Sequence, residues 1–200
     1  ALGETLDEVE RLAQKHAPSL KVEPVGYPPL YVGIIDQVMK TLTQGFALAL
    51  VLIFALIAIW LRSWRLAIAS IVPNAFPLIA MFGAMGWLGI HLDISTASVA
   101  AIVLGVAVDD TIHFLHAYRT HTDDGASWAD AVDATFEGAG RAAVITSMLL
   151  IAGFPVLMLS GVTSVFAFGL LTTIAAIAAL IGDLILLPLT LRWIAPNPHQ

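Results

Sequence analysis

The sequence contains no cysteine, which excludes a disulfide framework and a thiolate metal site. It also contains few charged residues, 12% of the chain, whereas soluble domains carry about 25%. A soluble globule of this size would therefore lack the charged residues that normally cover its surface. The net charge is −6 and no basic face is evident, so we expect no nucleic-acid partner.

The sequence contains long runs of apolar residues. Apolar residues make up 58% of the chain, and its mean hydropathy is +0.88. A helix needs roughly 20 residues to cross the hydrocarbon core of a bilayer. Five stretches have about this length, so we predict an all-α membrane protein with five transmembrane helices. Their predicted bounds are about 42–61, 66–90, 94–118, 142–159 and 162–193.

Residues 1–38 have the composition of a soluble segment. A capping-box pattern at 5–8 begins a predicted helix, and 21–25 alternates like a short strand. The sequence Gly-Tyr-Pro-Pro at 26–29 is typical of a turn. We predict that residues 1–38 end a small α/β domain and that 39–194 form the transmembrane domain. The first residues contain neither a starting Met nor a signal-peptide pattern, so we expect a piece of a longer protein.

Basic residues indicate how the helices are oriented. Arginines cluster on one side of the predicted five-helix arrangement, and the positive-inside rule makes that side cytoplasmic. These arginines are Arg62, Arg65, Arg119, Arg141 and Arg192. We therefore expect a multi-pass protein of the bacterial inner membrane, with residues 1–38 periplasmic and the tail 195–200 cytoplasmic. An amphipathic helix at about 126–137 is predicted to lie along the cytoplasmic face of the membrane.

Three acidic residues fall inside the predicted membrane helices: Asp109, Asp110 and Asp183. An ionised carboxylate at the centre of a bilayer costs on the order of 3 kcal/mol. Such residues persist where a cavity, a partner or a function compensates for that cost. A neighbouring carboxylate and removal from water both influence whether a carboxyl group holds its proton. The adjacent pair therefore predicts a group that binds and releases protons, as coupling to a proton gradient requires.

The third predicted helix has a face on which small residues lead to the acidic pair. The residues of this face, spaced four apart, are Ala97, Ala101, Gly105, Asp109 and His113. Small residues allow another helix to approach closely. A cluster of Asp109, Asp110 and His113 can hold or pass a proton near neutral pH, and we predict these three as a proton relay. The fifth helix has a similar stripe, formed by Gly169, Thr172, Ala176, Ala179 and Asp183.

Polar residues on other helices lie at a similar predicted depth. Counted from the predicted cytoplasmic helix ends, Asn74, Asp109 and Asp183 each lie about 8–9 residues inside, roughly 12–14 Å at 1.5 Å per residue. Thr146 and Ser147 approach the same layer. We predict Asn74, Thr146, Ser147 and Asp183 as supporting polar residues. Two prolines flank Asn74, whose amide is expected mainly to satisfy the backbone groups that these prolines free.

The segment GVAVDDTIHFL at 105–115 resembles the fourth-helix motif of permeases of the resistance-nodulation-division (RND) superfamily. It is most similar to the predicted-exporter branch that includes the large mycobacterial membrane lipid exporters and the hopanoid transporters. The helices of that branch are similar to sterol-sensing domains. Other segments fit in the same order, with PNAFP at 73–77, GRAA at 140–143 and DLILLP at 183–188. The resemblance extends over about residues 40–193.

This resemblance implies the C-terminal transmembrane half of a two-half exporter, driven by the proton gradient without a cofactor or a metal. Family members have two similar six-helix halves, each with a large periplasmic domain after its first helix. The proton-relay position falls on Asp109, with Asp110 beside it. The implied partners are the N-terminal half of the same polypeptide, the lipid bilayer and a lipid or hydrophobic substrate, and a homo-oligomer stays open. No enzymatic activity is implied.

Three other functions stay open. A sterol- or lipid-sensing domain shares the five-helix fold, although lipid sensing alone needs no adjacent carboxylates. A SecD/SecF-type translocation aid has related helices but a weaker likeness after the acidic pair. An intramembrane aspartyl protease needs two facing carboxylates, whereas neighbours on one helix point about 100° apart. Asp183 would then have to be the second catalytic acid, and no further motif supports that role.

Overall fold

The computed structural model describes residues 8, 11–12, 15–16 and 27–194, and every regular element in these ranges is helical. The chain divides into two compact units, residues 1–47 and 48–200. In the first unit, the described residues before residue 27 are helical, and His16 Nδ1 lies 2.9 Å from the carbonyl oxygen of Leu12. The second unit contains all three acidic residues of the predicted membrane helices.

Eight α-helices follow one another within residues 27–194. They are α1 (Tyr27–Trp60), α2 (Trp64–Ala69), α3 (Ile71–Leu88), α4 (Ile94–Asp123), α5 (Trp128–Thr135), α6 (Arg141–Gly153), α7 (Thr163–Ile181) and α8 (Leu187–Ile194). The π-helical turn Phe136–Gly140 joins α5 to α6, and the π-helical turn Gly182–Leu186 joins α7 to α8. A 3₁₀ helix, Phe154–Leu159, continues α6.

Four helical stretches in the described part of the chain are long and apolar enough to cross a membrane. They are Trp64–Leu88, Ser95–Asp123, Trp128–Leu159 and Thr163–Ile194. These stretches confirm the prediction of an all-α membrane protein. The first of the five predicted membrane helices coincides with a shorter apolar stretch, Gln44–Trp60, at the end of α1. At about 1.5 Å per residue this stretch falls slightly short of the roughly 30 Å hydrocarbon core.

Side chains at the helix ends explain where several helices start and stop. Asp93 precedes α4 and accepts a hydrogen bond from the backbone N–H of Thr96 at 2.7 Å, while its own backbone N–H donates to the Thr96 hydroxyl at 2.8 Å. This reciprocal pair satisfies N–H groups that a helix start leaves free. Ser127 similarly accepts from the backbone N–H of Asp130 at the start of α5. α3 stops at Gly89, whose φ of 67° lies in the left-handed region that glycine favours.

The start of α1 differs from the sequence prediction. The pattern at 26–29 predicts a turn, but α1 already begins at Tyr27. Proline is tolerated in the first turn of a helix because the N–H groups there have no partner within the helix. α1 then continues without a break past residue 38, the predicted domain boundary. The strand predicted at 21–25 and the tail 195–200 lie outside the described residues, so the α/β character of the N-terminal segment stays a prediction.

The predicted amphipathic segment at about 126–137 is helical over Trp128–Thr135, as α5. It does not end before the next membrane helix, because the π-helical turn carries the chain directly into α6. Helical structure is therefore continuous over Trp128–Leu159. The two glycines in this turn lead us to expect a break in the helix from the sequence. Gly140 nevertheless has a right-handed φ of −61°. The fourth membrane helix, predicted from about residue 142, thus has no loop in front of it.

α7 lies at the centre of the second unit and packs against α3, α4, α6 and the 3₁₀ helix. Its small-residue stripe, Gly169 to Asp183, is buried along its whole length. At Gly169 the 3₁₀ helix is so close that a Cβ would lie 2.8 Å from the carbonyl oxygen of Phe154. Small side chains permit this approach of two helix backbones, which is how membrane helices gain van der Waals contact.

Large apolar side chains hold the arginine-bearing end of the second unit together. Phe114, Leu115 and Tyr118 of α4 belong to one buried cluster with Leu187 and Leu191 of α8, and none of the five is more than 2% exposed. The cluster fixes the end of α4 against α8. Because the acidic pair lies on α4 and Asp183 lies just before α8, this packing also sets their relative position.

At Gly182 the turn after α7 lies close to the backbone of α3. A Cβ on Gly182 would lie 2.9 Å from the backbone oxygen of Pro73, and a backbone atom cannot move aside as a side-chain end can. We predict that Gly182→Ala lowers the free energy of unfolding by about 1–3 kcal/mol, measured by thermal denaturation in detergent. Gly86→Ala in α3 is the control, because nothing lies within 4 Å of its new methyl group. Equal melting temperatures would show that close approach is not the reason for the glycine.

Candidate functional site

Three consecutive residues of α4 point into three different surroundings. Successive residues of an α-helix are about 100° apart, so Asp109, Asp110 and Thr111 cannot share one face. Asp109 is exposed, Asp110 is half-buried and Thr111 is fully buried. At one depth, α4 therefore presents a carboxyl group outward and a hydroxyl group inward.

Asp109 and His113 form what we term the outer pair. Asp109 Oδ1 lies 3.5 Å from His113 Nε2, one helical turn away, and the two side chains are 74% and 69% exposed in this chain. A carboxyl group and an imidazole can each bind a proton, so the pair has the chemical groups that a proton-binding site requires. Asp110, the third residue of the predicted relay, lies on the neighbouring face of the helix.

The outer pair continues the small-residue stripe of α4. Ala97, at the start of the stripe, is buried, whereas Ala101 and Gly105 are exposed like the outer pair itself. No helix in the described part of the second unit covers this section of the stripe. Small residues on a membrane helix favour close contact with another helix. The exposed section therefore has the character of a contact face.

Thr111 joins two other helical segments on the inner side of α4. Its hydroxyl oxygen lies 3.0 Å from Oδ1 of Asp183 and 3.4 Å from Oδ1 of Asn74. The three side chains are 0%, 2% and 3% exposed, in the order Thr111, Asp183, Asn74. The sequence places Asn74 and Asp183 at one depth, and the structure brings them together through this hydroxyl. We term Asn74, Thr111 and Asp183 the inner cluster.

Asn74 is anchored to its own helix. Its Nδ2 donates to the carbonyl oxygen of Ser70 at 2.8 Å, which leaves Oδ1 facing the inner cluster. Because Pro73 has no N–H, the backbone carbonyl that it frees is that of Ala69, and this carbonyl accepts a hydrogen bond from the Thr190 hydroxyl at 2.9 Å. The amide of Asn74 therefore does not compensate for Pro73, and its expected role toward Pro77 stays a prediction.

Asp183 enters the cluster from a distorted segment of helix. The π-helical turn Gly182–Leu186 begins one residue before it, and such turns are frequent at functional sites. Asp183 Oδ2 is buried without a hydrogen-bond partner among the described residues, and so is Asp110 Oδ2. The two carboxyl groups interact electrostatically. In the part of the chain that the structure describes, neither forms an ion pair with a lysine or an arginine.

Thr146 and Ser147 of α6 do not join the inner cluster. Thr146 is exposed and Ser147 is buried, and within residues 27–194 neither hydroxyl hydrogen-bonds to a member of the cluster. The prediction rests on depth along the helix, whereas contact also depends on direction around it. Their supporting role stays a prediction.

Thr111 is the residue that the sequence prediction misses. It lies at helical spacing from Leu104, Ala107, Leu115 and Tyr118, which are all buried. A lone hydroxyl on an apolar inner face of a membrane helix indicates a hydrogen bond to a neighbouring helix. That signal is present in the sequence, although it does not say which helix carries the partner.

Known proteins are similar to this chain over three quarters of its length or more. The model of the AcrB/AcrD/AcrF family matches residues 5–196. A Methanocaldococcus jannaschii membrane protein, MJ1562, is 30% identical over 197 residues, which cover 93% of this chain and 50% of that protein. The Escherichia coli multidrug resistance protein MdtC is 25% identical over 195 residues, 95% of this chain and 18% of that protein. The Pseudomonas putida solvent-resistant pump membrane transporter SrpB is 25% identical over 159 residues, 76% of this chain and 15% of that protein. The chain thus spans about half the length of the first relative and less than a fifth of the other two.

Thr111→Val should destabilise the second unit, because it removes the hydroxyl shared by Asp183 and Asn74 and leaves buried polar groups without a partner. The expected loss is about 1–3 kcal/mol of unfolding free energy, measured by thermal denaturation in detergent. Thr173→Val is the matched control, since the hydrogen bond of the Thr173 hydroxyl goes to the Gly169 carbonyl of its own helix. Equal effects of the two substitutions would mean that the inner cluster does not hold the helices together.

Proposed function

The chain belongs to the AcrB/AcrD/AcrF family of RND permeases, and we propose that its parent protein exports hydrophobic or lipid-like molecules at the expense of a proton gradient. In this proposal Asp109 and Asp110 bind the coupling proton, and His113 holds or passes it. The observation that carries the proposal is the outer pair, which is exposed at the centre of a long apolar helix. A carboxylate at that depth is costly in lipid unless a partner or a wet pathway meets it.

Proton binding at the outer pair would change the charge that α4 presents on this face. A proton on Asp109 removes the negative charge that attracts His113. A ligand shifts an equilibrium between two packings only through a difference in its affinity for them, and a charge change at a helix contact supplies such a difference. Asp110, half-buried beside the pair, extends the change toward the core. The proton thereby selects between two arrangements of α4.

A second helical half is the partner that the exposed stripe favours. Without it, the charged groups of the outer pair would face hydrocarbon. We propose that this half is the N-terminal half of the same polypeptide or, in a shorter parent, a second copy of the chain. Both arrangements fit the relatives, because matches of similar length cover 50% of MJ1562 and only 18% of MdtC.

The relatives also favour a hydrophobic cargo. MdtC is a multidrug resistance protein and SrpB is a solvent-resistant pump. Drugs and solvents fit the same class of cargo as the lipids that the resemblance to the mycobacterial exporter branch implies. Export rather than catalysis is the activity that these names support.

The arginines favour one orientation in a bacterial inner membrane. Arg62 lies in the turn between α1 and α2, Arg141 begins α6, and Arg192 lies near the end of α8. By the positive-inside rule we propose that this end is cytoplasmic, which puts residues 1–38 on the periplasmic side.

Ala101→Trp tests the contact face of α4. In the full-length parent, the large ring should prevent close approach of the partner half, so that the monodisperse peak in size-exclusion chromatography is lost. Ile79→Trp is the control. Ile79 lies on α3 and is 67% exposed, and this substitution replaces one large apolar side chain by another. Identical elution profiles for the two variants would contradict a helix contact at Ala101.

Asp109→Asn and Asp110→Asn test proton coupling in the full-length parent. In proteoliposomes with an imposed pH gradient, proton flux and release of a hydrophobic dye should fall to the level of protein-free liposomes, because the amide cannot bind the proton. Asp133→Asn, which changes an exposed carboxylate of α5, should transport like the unsubstituted protein. Undiminished flux in both relay variants would refute the relay and favour a lipid-sensing domain without proton coupling.

A further inference from the structure

The geometry points to a second proton-binding site inside this half. We propose that Asp183 binds a proton and, through Thr111, sets the hydrogen bonds that join α3, α4 and the turn after α7. The role of this site in transport rests on the proposed proton coupling, whereas its existence does not. The outer pair and Asp183 lie on opposite sides of α4, one exposed and the other enclosed.

Among the described residues, none that packs around Asp183 supplies a compensating positive charge. Among the elements that pack on the turn Gly182–Leu186, α3 and α7 contain no titratable residue. α8 contributes Arg192, which is exposed and lies over the Trp128 ring, 5.6 Å from its centre. The titratable group of α4 that acts on Asp183 is Asp110, another carboxyl group. An unpaired charge in a buried site is costly, and a proton is the smallest ligand that removes it.

The hydrogen atoms of the inner cluster give a separate argument for a proton. The orientation of Asn74 is fixed by its bond to the Ser70 carbonyl, so its Oδ1 can only accept. Thr111 has a single hydroxyl hydrogen, yet its oxygen lies within hydrogen-bond distance of Oδ1 of both Asn74 and Asp183. With Asp183 ionised, both of these oxygens are acceptors and one of them lacks a donor. With a proton on Asp183, its O–H donates to Thr111, and Thr111 donates to Asn74.

The proton therefore completes a chain of hydrogen bonds across three segments. The chain runs from Asp183 through Thr111 and Asn74 to the Ser70 carbonyl, with each group donating to the next. Loss of the proton reverses the Thr111 hydroxyl and releases Asn74 Oδ1, which weakens the link between α3 and α4. Thr111 directly follows Asp110, so this change occurs beside the residues that bind the coupling proton.

A small metal cation is the other occupant that a group of oxygen atoms suggests. Hard cations prefer six or more oxygen ligands, and the inner cluster offers the side-chain oxygens of three residues. Even with both carboxyl oxygens of Asp183, the three side chains supply four oxygen atoms, which is fewer than such a cation prefers. The geometry thus favours a proton.

Infrared difference spectroscopy of the full-length parent in lipid nanodiscs tests this site without a gradient or a cargo. The unsubstituted protein should show the carbonyl-stretch band of a protonated carboxyl group that titrates with pH. Asp183→Asn should remove a component of this band that remains in Asp109→Asn and in Asp110→Asn. Thr111→Val should keep the band but shift it to higher frequency, because the carboxyl group loses its hydrogen bond. Asp133→Asn is the control and should leave the band unchanged.

Two results would overturn the proposal. One is a band that persists unchanged in folded Asp183→Asn. The other is loss of the band on adding sodium ions at constant pH, which would assign the site to a cation. If Asp183→Asn does not fold, the frequency of the band in Thr111→Val becomes the test of the proposal. A band at an unchanged frequency in that variant would contradict the site. The infrared band is measured without transport. Proton coupling can therefore fail in the Asp109 experiment while the Asp183 band is still present, and the Asp183 band can be absent while proton coupling is still observed.

Discussion

The absence of water inside a bilayer is the constraint on which this structure depends, because every polar group there must find its partner within the protein. The carbonyl of Ala69, freed by Pro73, accepts from Thr190 of α8. Asn74 donates back to Ser70, and its remaining oxygen turns toward Thr111. The hydrogen bonds from Thr190 to Ala69 and between Thr111 and Asn74 join different helices. The few polar side chains therefore also connect the helices.

The two small-residue stripes show what such a pattern does and does not determine. The stripe of α7 is buried among α3, α4, α6 and the 3₁₀ helix, and Gly169 and Gly182 permit contacts too close for a Cβ. The stripe of α4 is similar in sequence, yet most of it is exposed in this chain. Small residues predict that a helix backbone comes close. They do not say which helix, or whether it belongs to the same chain.

Local geometry could be predicted from the sequence, and geometry between distant helices could not. The pairing of Asp109 with His113 follows from helical spacing alone, because the residues are one turn apart. The inner cluster joins residues 37 and 72 positions apart, so it depends on how the helices pack. The estimated depth from the helix ends predicts that Asn74 and Asp183 share one layer, but it does not identify Thr111. The continuous helix at Trp128–Leu159 was missed because glycines that favour a break kept right-handed backbone angles.

The position of Asp110 links the two sides of α4. It follows Asp109 and precedes Thr111, and it acts electrostatically on Asp183. One of its oxygens is buried without a hydrogen-bond partner among the described residues. In the proposed scheme, a proton that leaves either the outer pair or Asp183 would place negative charge near Asp110, so a charge change at one site would affect the other. α4 is one unbroken helix, and packed aromatic and leucine side chains hold its C-terminal part. We therefore expect the helix itself to carry a change from its outer face to its inner face. In the proposed scheme, proton-binding groups on both faces of α4 would couple contact with a partner half to packing inside its own half.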